Sequence, residues 1–303
     1  MKIFIAGATG AIGRPLISQL LKAGHEVVGM TSSDHGLALL EDNGAEGVLA
    51  NALDSDAVRS ALESTRPEVV IDELTSLPKH YTREEMAAAT PRDRTLRLEG
   101  GRNVYEAAKA CGVRRYIVQS TGFFYGPGEG LAREEDSLAI DASPAVSASV
   151  QTYIAIERRV LAHSDMEGVA LRYGFFYGPG TWFTKNGDVA QQVRERQYPI
   201  VASGQGVWSW VHIEDAAAAT VVAIEREPGV YNIVDDDPSP MAVWLTAFAA
   251  YLGAPAPPRV REEEALATAG TDAVYYATRL RGASNAKAKK AFGFAPRKLE
   301  WLS

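Results

Sequence analysis

Two hydrophobic patterns alternate over the first 120 residues of the chain. Short apolar runs predict β-strands at residues 3–5, 27–30, 48–49, 69–71 and 116–118. Between these runs, apolar residues recur every three or four positions, which predicts helices at 37–41, 54–63 and about 92–110. Because strands and helices alternate in this way, we expect parallel strands joined by helical crossovers.

The alternation loosens after residue 120. A loop-rich stretch at 126–128 precedes a helical pattern at about 148–163 and a strand-like run at 169–171. Further patterns predict helices near 188–196, 215–226, 242–252 and 285–291, an aromatic stretch at 207–211 and a strand at 230–234. We therefore predict an α/β fold with a doubly wound, mainly parallel sheet over residues 1–165, to which a segment near 208–226 returns. Residues 166–303 are predicted to form a smaller α/β substrate-binding lobe, with the functional site in the cleft between the two.

A glycine-rich turn directly follows the first predicted strand. Gly7 and Gly10 let the backbone turn with no side chain in the way, and Gly13 lets the next helix lie close to the strand. An ordinary tight turn could carry the same glycines, but the flanking strand and helix favour a phosphate site at the helix N-terminus. The predicted pyrophosphate-binding residues of a dinucleotide are Gly7, Thr9, Gly10, Ala11, Ile12, Gly13 and Arg14.

Charge and composition argue against several classes of partner. The formal net charge of the 303 residues is −7 and no dense Lys/Arg cluster occurs, so nucleic acid and anionic membranes are not expected as partners. An anionic substrate would need a local basic pocket. Cys111 is the only cysteine, which rules out an intramolecular disulfide. Since no signal segment or bilayer-spanning stretch is found, we expect a cytoplasmic protein.

No cluster of His, Cys, Asp and Glu has the spacing of metal ligands, so no metal site is predicted. His212 and Asp215 lie at a predicted helix start. Because Asp at such a position caps backbone N–H groups, we interpret both residues as structural.

The seven-residue segment GFFYGPG occurs twice, at 122–128 and at 174–180. Each copy follows a predicted strand. The two copies could be coincidental, or aromatic turns that pack on each other. Alternatively, both loops leave the carboxyl ends of strands, where open α/β sheets bind ligands. The sequence leaves these interpretations open.

Five segments carry a resemblance to a known family. They read GATGAIG at 7–13, ANALD at 50–54, VQST at 118–121 with YG at 125–126, LRY at 171–173 with YGPG at 177–180, and WVHIED at 210–215. Together they resemble the extended short-chain dehydrogenase/reductase family, which includes nucleotide-sugar epimerases and dehydratases. The resemblance implies a Rossmann sheet and an NAD(P) cofactor. It also implies cofactor contacts from Asn51, Ala52, Leu74, Tyr173, Phe175 and Phe176.

The same resemblance makes Thr121, Ser120 and Tyr153 the candidate catalytic residues. Thr121 stands at the family's Ser/Thr position, where the hydroxyl contacts a substrate carbonyl or hydroxyl. Its alternative role, which Ser120 shares, is that of a turn hydroxyl bonded to the backbone. Tyr153 shares a helical face with Ile156 and Val160, so its ring could equally belong to the core.

The family's Tyr-x-x-x-Lys segment is absent from the predicted helix. One alignment puts Tyr153 at the tyrosine and Glu157 at the lysine. The other, which needs no gap before Arg172, puts Ser149 at the tyrosine and Tyr153 at the lysine. In the family that lysine holds the nicotinamide ribose and lowers the pKa of the tyrosine. Since both alignments lose the lysine, we expect a displaced proton donor.

The end of the second strand favours NADP. An acidic residue there would bind the 2′-hydroxyl of NAD and repel a 2′-phosphate, but residues 30–33 read MTSS. The hydroxyls of Thr31 and Ser32 could hold the phosphate, and Arg14 could pair with it. The predicted cofactor is NADP, with NAD as the alternative.

Aromatic residues in the loops expected at the cleft predict a small apolar or aromatic substrate rather than a nucleotide sugar. The candidate contacts are Phe123, Tyr125, Tyr177, Trp182 and Trp208, although part of this set could be core. We therefore predict an NADP-dependent reductase or dehydrogenase of a carbonyl, an alcohol or an activated alkene. A non-redox isomerase, dehydratase or cyclase is the alternative, and a cofactor-sensing binding protein is the third. The expected partner is a small-molecule substrate, and a homodimer stays open as the assembly.

Overall fold

A seven-stranded parallel sheet forms the centre of the computed structural model, which describes residues 1–162 and 165–302. The strands are β1 Lys2–Ala6, β2 Glu26–Thr31, β3 Glu46–Leu49, β4 Val69–Asp72, β5 Arg115–Thr121, β6 Glu167–Tyr173, β7 Phe175–Tyr177, β8 Ile200–Val201, β9 Val207–Trp208, β10 Trp210–His212, β11 Gly229–Ile233, β12 Ser239–Pro240 and β13 Arg259–Val260. The central sheet has the order β11-β6-β5-β4-β1-β2-β3, and every neighbouring pair is parallel. The predicted doubly wound parallel sheet is confirmed.

Helices cover both faces of this sheet. Within the described residues they are α1 Gly13–Lys22, α2 Asp34–Asp42, α3 Ser55–Thr65, α4 Arg83–Thr95, α5 Gly101–Ala110, α6 Pro144–Leu161, α7 Asp188–Arg194, α8 Ile213–Ala223, α9 Met241–Tyr251, α10 Glu262–Thr268, α11 Gly270–Thr278 and α12 Ala286–Phe292. A π-helical turn, Leu96–Gly100, connects α4 to α5. None of the helices in the described ranges is both long enough and apolar enough to cross a bilayer.

Successive residues of a central strand pack on opposite faces of the sheet, because side chains alternate along a strand. Ile3 and Ile5 pack with α1 and α8. Phe4 and Ala6 pack on the other face, with α3, α5 and α6. The same alternation continues to the carboxyl ends of the strands, where it decides which polar side chains face one another.

The turn between β1 and α1 depends on its glycines. Gly7 has a φ of +86°, and a Cβ atom on it would lie 2.5 Å from the carbonyl oxygen of Glu73. A Cβ on Gly13 would lie 2.3 Å from the carbonyl oxygen of Ala8. Substitution at either position would therefore push the turn away from the neighbouring backbone. The close approach also brings the residue after β4 directly against the turn.

The central sheet extends beyond the predicted limit at residue 165. β6 and β11 follow that limit, pair with each other, and join the sheet through β5. The predicted return segment contains α8, which packs against α1. The rest of the second segment packs around an aromatic core of Phe183, Trp208, Trp210, Trp244 and Phe248. The division into two domains stays a prediction, with these two strands reassigned to the central sheet.

The segment predicted as one helix at 92–110 contains α4, the π-helical turn and α5. A π-helical turn adds a residue to the helical repeat and so changes the direction of the side chains it carries. One of them, Arg97, is only 6% exposed. The helix predicted at 148–163 is α6; its predicted last residue, 163, lies outside the described residues, as does residue 303 of the second segment.

Candidate active site

A cavity of about 1180 Å³ lies where the carboxyl ends of the central strands face the second lobe. Its wall contains residues 10–12 of the glycine turn, Glu73 after β4, Thr121 at the end of β5, Tyr173 at the end of β6, and Tyr153 from α6. Open parallel sheets bind ligands at this edge, because their loops converge there. The cavity therefore occupies the predicted cleft.

The glycine turn at one end of the cavity fits a dinucleotide phosphate. α1 has no acidic residue in its first turn, and no side chain caps its N-terminus. Its first backbone N–H groups and the positive end of the helix dipole are therefore left for an anion. A Cβ on Gly10 would meet only the carbonyl oxygen of Gly7 within 4 Å, so there is space beside the turn. Thr9, Ala11 and Ile12 complete this turn, and their contact with a pyrophosphate stays a prediction.

The residues predicted near a 2′-phosphate lie in two places. Arg14 is exposed, and a Cβ on Gly180 would lie 3.4 Å from its Nη2 atom, so the guanidinium borders the loop after β7. Thr31 is buried with its Oγ1 directed at Gly36 of α2. Ser32 beside it is exposed. Ser32 is therefore the predicted hydroxyl that is open to a ligand at the end of β2.

Three further residues predicted to contact the cofactor follow β3 and β4. Asn51 is exposed, and its Oδ1 accepts a hydrogen bond of 3.0 Å from the backbone N–H of Leu53. Ala52 and Leu74 are buried. Contact between these three residues and the cofactor at this edge therefore stays a prediction.

Three polar side chains at the strand ends have a buried oxygen without a hydrogen-bond partner in the described part of the chain. The atoms are Glu73 Oε2, Gln119 Oε1 and Thr121 Oγ1, and all three residues line the cavity. Alternation puts them on the sheet face of Ile71 and Ile117. Buried polar groups are nearly always partnered, since an unpartnered one costs about 1–3 kcal/mol. A ligand in the cavity would supply the missing partners.

Glu73 is only 3% exposed. Its Oε1 accepts a hydrogen bond of 3.1 Å from the hydroxyl of Tyr173, which lies 2.6 Å from Oγ1 of Thr220. Burial raises the pKa of Glu73 to about 8; the Tyr173 hydrogen bond opposes this shift, Asp72 adds to it, and the charge of Arg97 opposes it. The carboxyl group of Glu73 is therefore neutral near pH 7.

The opposite face of the same strand ends carries an ionic network. The hydroxyl of Ser120 donates to Glu157 Oε1 at 2.6 Å. Arg172 donates from Nε to Oε1 and from Nη2 to Oε2 of Glu157, both at 2.7 Å. Ser120 borders the cavity, but its hydroxyl is committed to Glu157 on α6. Alternation directs Ser120 to the α6 face, so a catalytic role for it stays a prediction.

Tyr125 belongs to the same network. Arg172 Nη1 donates to the Tyr125 hydroxyl at 2.8 Å, and this hydroxyl donates to Asn232 Oδ1 at 2.6 Å. Tyr125 is 1% exposed and lies outside the cavity wall. The predicted substrate contact is therefore wrong for Tyr125, whose ring and hydroxyl are both used in the interior.

Tyr153 borders the cavity from α6 and is half-buried. The guanidinium carbon of Arg97 lies 5.2 Å from the centre of its ring, and Arg97 Nε donates to Asp93 Oδ2 at 2.7 Å. Burial raises the pKa of Tyr153, and the charge of Arg97 opposes that rise. Tyr153 is therefore a neutral phenol with a positive charge beside it, whereas Glu157, one turn further along α6, is bound within the ionic network.

Phe123 and Phe175 form an aromatic wall of the cavity. Their rings stack at a centroid distance of 4.0 Å, and they occupy the same position in the two GFFYGPG segments. Phe176 tilts against Tyr173 at 5.3 Å, and Trp182 completes this side of the cavity. The two segments thus pack on each other and also border the ligand space.

Tyr177 and Trp208 lie behind this wall, each 1% exposed. Trp208 stacks on Phe175 at 4.0 Å, and its Nε1 donates to the carbonyl oxygen of Tyr276. Tyr177 packs edge-on against His212 at 5.0 Å. Neither residue belongs to the cavity wall. The predicted substrate contacts are corrected for both, because their large rings are buried in the core of the second lobe.

Basic side chains border the cavity: Lys79, His80 and Arg94, together with the buried Arg97. His80 Nδ1 lies 2.8 Å from Asp188 Oδ1, which connects the loop after β4 to the first residue of α7. Asp188 raises the pKa of His80. The charges of His80 and Arg97 are partly balanced by Asp188 and Asp93, which also border the cavity.

His212 and Asp215 have structural partners. His212 Nδ1 accepts from the backbone N–H of Glu214 at the start of α8. Asp215 pairs with Arg297 at 2.9 Å. Within residues 1–162 and 165–302, no group of three or more His, Cys, Asp or Glu side chains could hold a metal ion.

The sequence analysis missed Glu73, Gln119 and Arg97. A signal for Glu73 existed, since two consecutive carboxylates, Asp72 and Glu73, follow the apolar run at 69–71, and buried carboxylates are unusual. Gln119 stands within the VQST segment that was used only for its hydroxyls. No local signal existed for Arg97, because the π-helical turn decides its direction.

Comparison with protein families finds one model that matches residues 3–234, described as the NAD dependent epimerase/dehydratase family. A curated relative from a Streptomyces species, 3-diazoavenalumate denitrifying reductase, is 38% identical over 99% of this chain and 98% of its own length. The 2-alkyl-3-oxoalkanoate reductase of Stenotrophomonas maltophilia is 26% identical over 84% of this chain and 77% of its own.

Solved structures support the fold. The UDP-glucose 4-epimerase of Thermotoga maritima with UDP-glucose superposes with a TM-score of 0.74 at 18% identity, covering 99% of this chain and 95% of its own. The UDP-glucose 4-epimerase of Thermus thermophilus, in complex with NAD, gives a TM-score of 0.71 at 22% identity, covering 99% and 96%. At these identities the similarity concerns the fold.

Proposed function

Since the chain belongs to the NAD dependent epimerase/dehydratase family, we propose that it is an NADP-dependent reductase of a small aromatic substrate. The family and the reductase relatives make the chain an NAD(P)-dependent enzyme of the oxidoreductase type. The preference for NADP and the aromatic substrate are the finer parts of the proposal. The proposal also includes a cytoplasmic location and a homodimer. Light scattering tests the homodimer.

The proposal rests on one cavity and on the residues that line it. It connects the uncapped N-terminus of α1 to the stacked rings of Phe123 and Phe175, and the unpartnered hydroxyl of Thr121 lies in its wall. A phosphate-bearing cofactor suits the first feature, and a flat apolar ligand suits the second. A nucleotide sugar would require many polar contacts along its sugar, whereas the part of the wall around Phe123 and Phe175 is aromatic.

Each part of the cavity has a role in the proposed reaction. The N–H groups of the glycine turn would hold the pyrophosphate, and the bound cofactor would supply a hydride. Phe123 and Phe175 would hold the aromatic ring and exclude water. Thr121 would donate a hydrogen bond to the atom that gains electron density. Tyr153 would donate a hydrogen bond to the cofactor ribose. The positive charge of Arg97 beside the ring makes the hydroxyl a stronger donor.

Two classes of aromatic substrate are supported. An aromatic carbonyl compound fits the unpartnered donors in the cavity, because its oxygen needs hydrogen bonds and a proton. An aromatic diazo compound is supported by the name of the relative that is 38% identical. An aryl diazonium group is already cationic, so it can take a hydride and lose N₂ without a proton on oxygen. This chemistry suits a site without the Tyr-x-x-x-Lys segment.

NADP is proposed because residues 31–33 at the end of β2 carry hydroxyls and no carboxylate. Ser32 is exposed there, next to Ser33, which caps the N-terminus of α2. Calorimetric titration with NADPH and NADH tests this part. We expect tighter binding of NADPH and a smaller difference in the Ser32→Ala variant; tighter binding of NADH contradicts the proposal.

The reaction is tested by absorbance at the reduced-nicotinamide band with NADPH and a substrate panel. The panel contains aromatic ketones, aryl diazonium salts and UDP-sugars. We expect loss of absorbance with one or both aromatic classes and none with UDP-sugars. Conversion of a compound without a change in absorbance supports the non-redox alternative. Tight NADPH binding without any conversion supports the cofactor sensor, and either result overturns the reductase.

A further inference from the structure

Glu73 presents one carboxyl oxygen to a protein partner and leaves the other without one. The Tyr173 hydroxyl donates to Oε1 at 3.1 Å, whereas Oε2 has no partner among the described residues. The residue borders the cavity directly beside the glycine turn, since a Cβ on Gly7 would lie 2.5 Å from the Glu73 carbonyl oxygen. By contrast, both carboxyl oxygens of Glu157, which belongs to the ionic network, accept hydrogen bonds.

This hydrogen-bond arrangement decides where the proton of a neutral carboxyl group lies. Such a group has one accepting oxygen and one hydroxyl. When the single proton of the Tyr173 hydroxyl points to Oε1 rather than to Thr220 Oγ1, the hydroxyl of Glu73 falls on Oε2, the atom without a partner among the described residues. Burial raises the pKa of Glu73 to about 8, so the neutral form dominates near pH 7.

The charged and titratable groups around Glu73 come from three elements. They are Asp72 from the end of β4, Tyr173 from the end of β6 and Arg97 from the π-helical turn. Asp72 opposes ionisation of Glu73, whereas the Tyr173 hydrogen bond and the Arg97 charge favour it. The carboxyl group therefore holds its proton at neutral pH and can still release it to an acceptor in the cavity.

We propose that Glu73 is the proton donor of this site, a role that rests on the proposed reductase function. As a hydride from the reduced nicotinamide adds to the carbonyl carbon of an aromatic ketone, the C–O π bond breaks. Its electron pair takes the proton from Oε2 of Glu73, so that a C–H bond and an O–H bond form. The O–H bond of Glu73 breaks, and the resulting carboxylate is held through Oε1 by Tyr173. Water entering after product release returns the proton.

The chain provides a matched control for this proposal in Asp235. The residue is 2% exposed, its Oδ2 also lacks a partner within residues 1–162 and 165–302, and burial raises its pKa to about 8. Asp235 lies outside the cavity wall. Asp235→Asn therefore removes a buried neutral carboxyl group of the same kind without touching the ligand space.

The test compares Glu73→Gln with Asp235→Asn in the full-length chain, using aromatic ketone reduction by NADPH across pH. In the wild type, kcat/KM should fall as the pH rises through about 8, because the donor must be protonated. Glu73→Gln should lower kcat by about 10²–10⁴-fold and abolish this fall, with NADPH affinity retained. Asp235→Asn should keep the wild-type rate and pH profile. For an aryl diazonium salt that the wild type reduces, the rate of reduction should fall much less in Glu73→Gln than the rate for the ketone.

Two further measurements keep the proposal falsifiable. Tyr173→Phe removes the hydrogen bond that favours the carboxylate, so the alkaline fall in kcat/KM should move to higher pH. Infrared difference spectra should show a protonated carboxyl band near pH 7 that Glu73→Gln reduces. If that band is absent, or if folded Glu73→Gln keeps the wild-type ketone rate and pH profile, the proton donor is overturned.

The outcomes also separate this inference from the proposed function. Absence of NADPH oxidation by the wild type with every aromatic compound overturns the reductase itself, and the donor with it. Normal wild-type reduction together with weaker NADPH binding and an unchanged pH profile in Glu73→Gln makes Glu73 a cofactor contact, which overturns the donor alone.

Discussion

The carboxyl ends of β4, β5 and β6 carry two polar clusters on opposite faces of the sheet. On the face of α6, the side-chain oxygens of Ser120 and Glu157 are bonded within a network that Arg172 completes. On the face of α1 and α8, Glu73 and Thr121 each keep a buried oxygen without a partner. The two clusters are separated only by the thickness of the sheet, and Ser120 and Thr121 are neighbours in the chain.

This difference separates structure from function. A buried ionic group is tolerated when its partners are complete, as they are around Glu157. Unpartnered buried oxygens reduce stability by about 1–3 kcal/mol each, so several in one cavity indicate a place where a ligand completes the hydrogen bonds. We therefore expect substitutions in the ionic network to change stability and substitutions in the cavity cluster to change turnover.

The largest expected effect is on the ionic network. Arg172→Leu leaves Glu157 buried without its cation and should lower the free energy of unfolding by about 3–5 kcal/mol, measured by urea denaturation. The control is Arg114→Ala, which removes an exposed pair with Glu167 and should cost at most about 1 kcal/mol. Equal losses in the two variants would mean that the buried network is not a stability element.

The next effect is on turnover. Thr121→Val keeps the side-chain shape and removes an unpartnered hydroxyl, so it should leave the free energy of unfolding unchanged or slightly higher. Loss of a donor to the developing negative charge should lower kcat by about 10²–10³-fold. Ser120→Ala is the neighbouring control and should lower stability by about 1 kcal/mol with little change in kcat. If Ser120→Ala lowers kcat and Thr121→Val lowers stability instead, Ser120 rather than Thr121 faces the ligand.

The pH dependence of stability sharpens the comparison further. Glu73 binds its proton more tightly in the folded chain, because its pKa is raised from 4.5 to about 8. Its stabilising contribution is complete below 4.5 and is lost as the pH rises through about 8. Near neutrality the slope is about 1.4 kcal/mol per pH unit for one such carboxyl group. Glu73→Gln should reduce the slope measured by urea denaturation; an unchanged slope would show that Glu73 is already ionised.

The smallest effect concerns the aromatic wall. Phe123→Ala removes a ring stacked on Phe175 and should raise KM for an aromatic substrate by about 5–10-fold, equivalent to about 1–1.5 kcal/mol. Turnover at saturation should change little, because the ring does not touch the reacting atoms. A saturated analogue of equal size serves as the control substrate. If KM rises by the same factor for both compounds, stacking on Phe123 is not the source of specificity for the aromatic substrate.

The sequence by itself determined the parallel sheet, the β1–α1 turn and the family. These features depend on local information: the alternation of strand and helix patterns, and a turn in which Gly7 and Gly13 have no room for a Cβ atom. It also led to Phe123, Trp182 and Thr121 as residues of the cavity wall. Each of these residues stands in a loop or at a strand end, and such positions converge at one edge of a parallel sheet.

Only the tertiary structure decided which of the candidate side chains face the cavity. Ser120 and Thr121 are equivalent in a sequence motif, but strand alternation sends one hydroxyl to Glu157 and leaves the other unpartnered. Tyr125 and Trp208 are drawn into the interior by partners that lie far away in the chain, Asn232 and Tyr276. Glu73 acquires its raised pKa from burial, which requires the neighbouring strands and helices to be in place. Such contacts join residues of large sequence separation, so no local pattern encodes them.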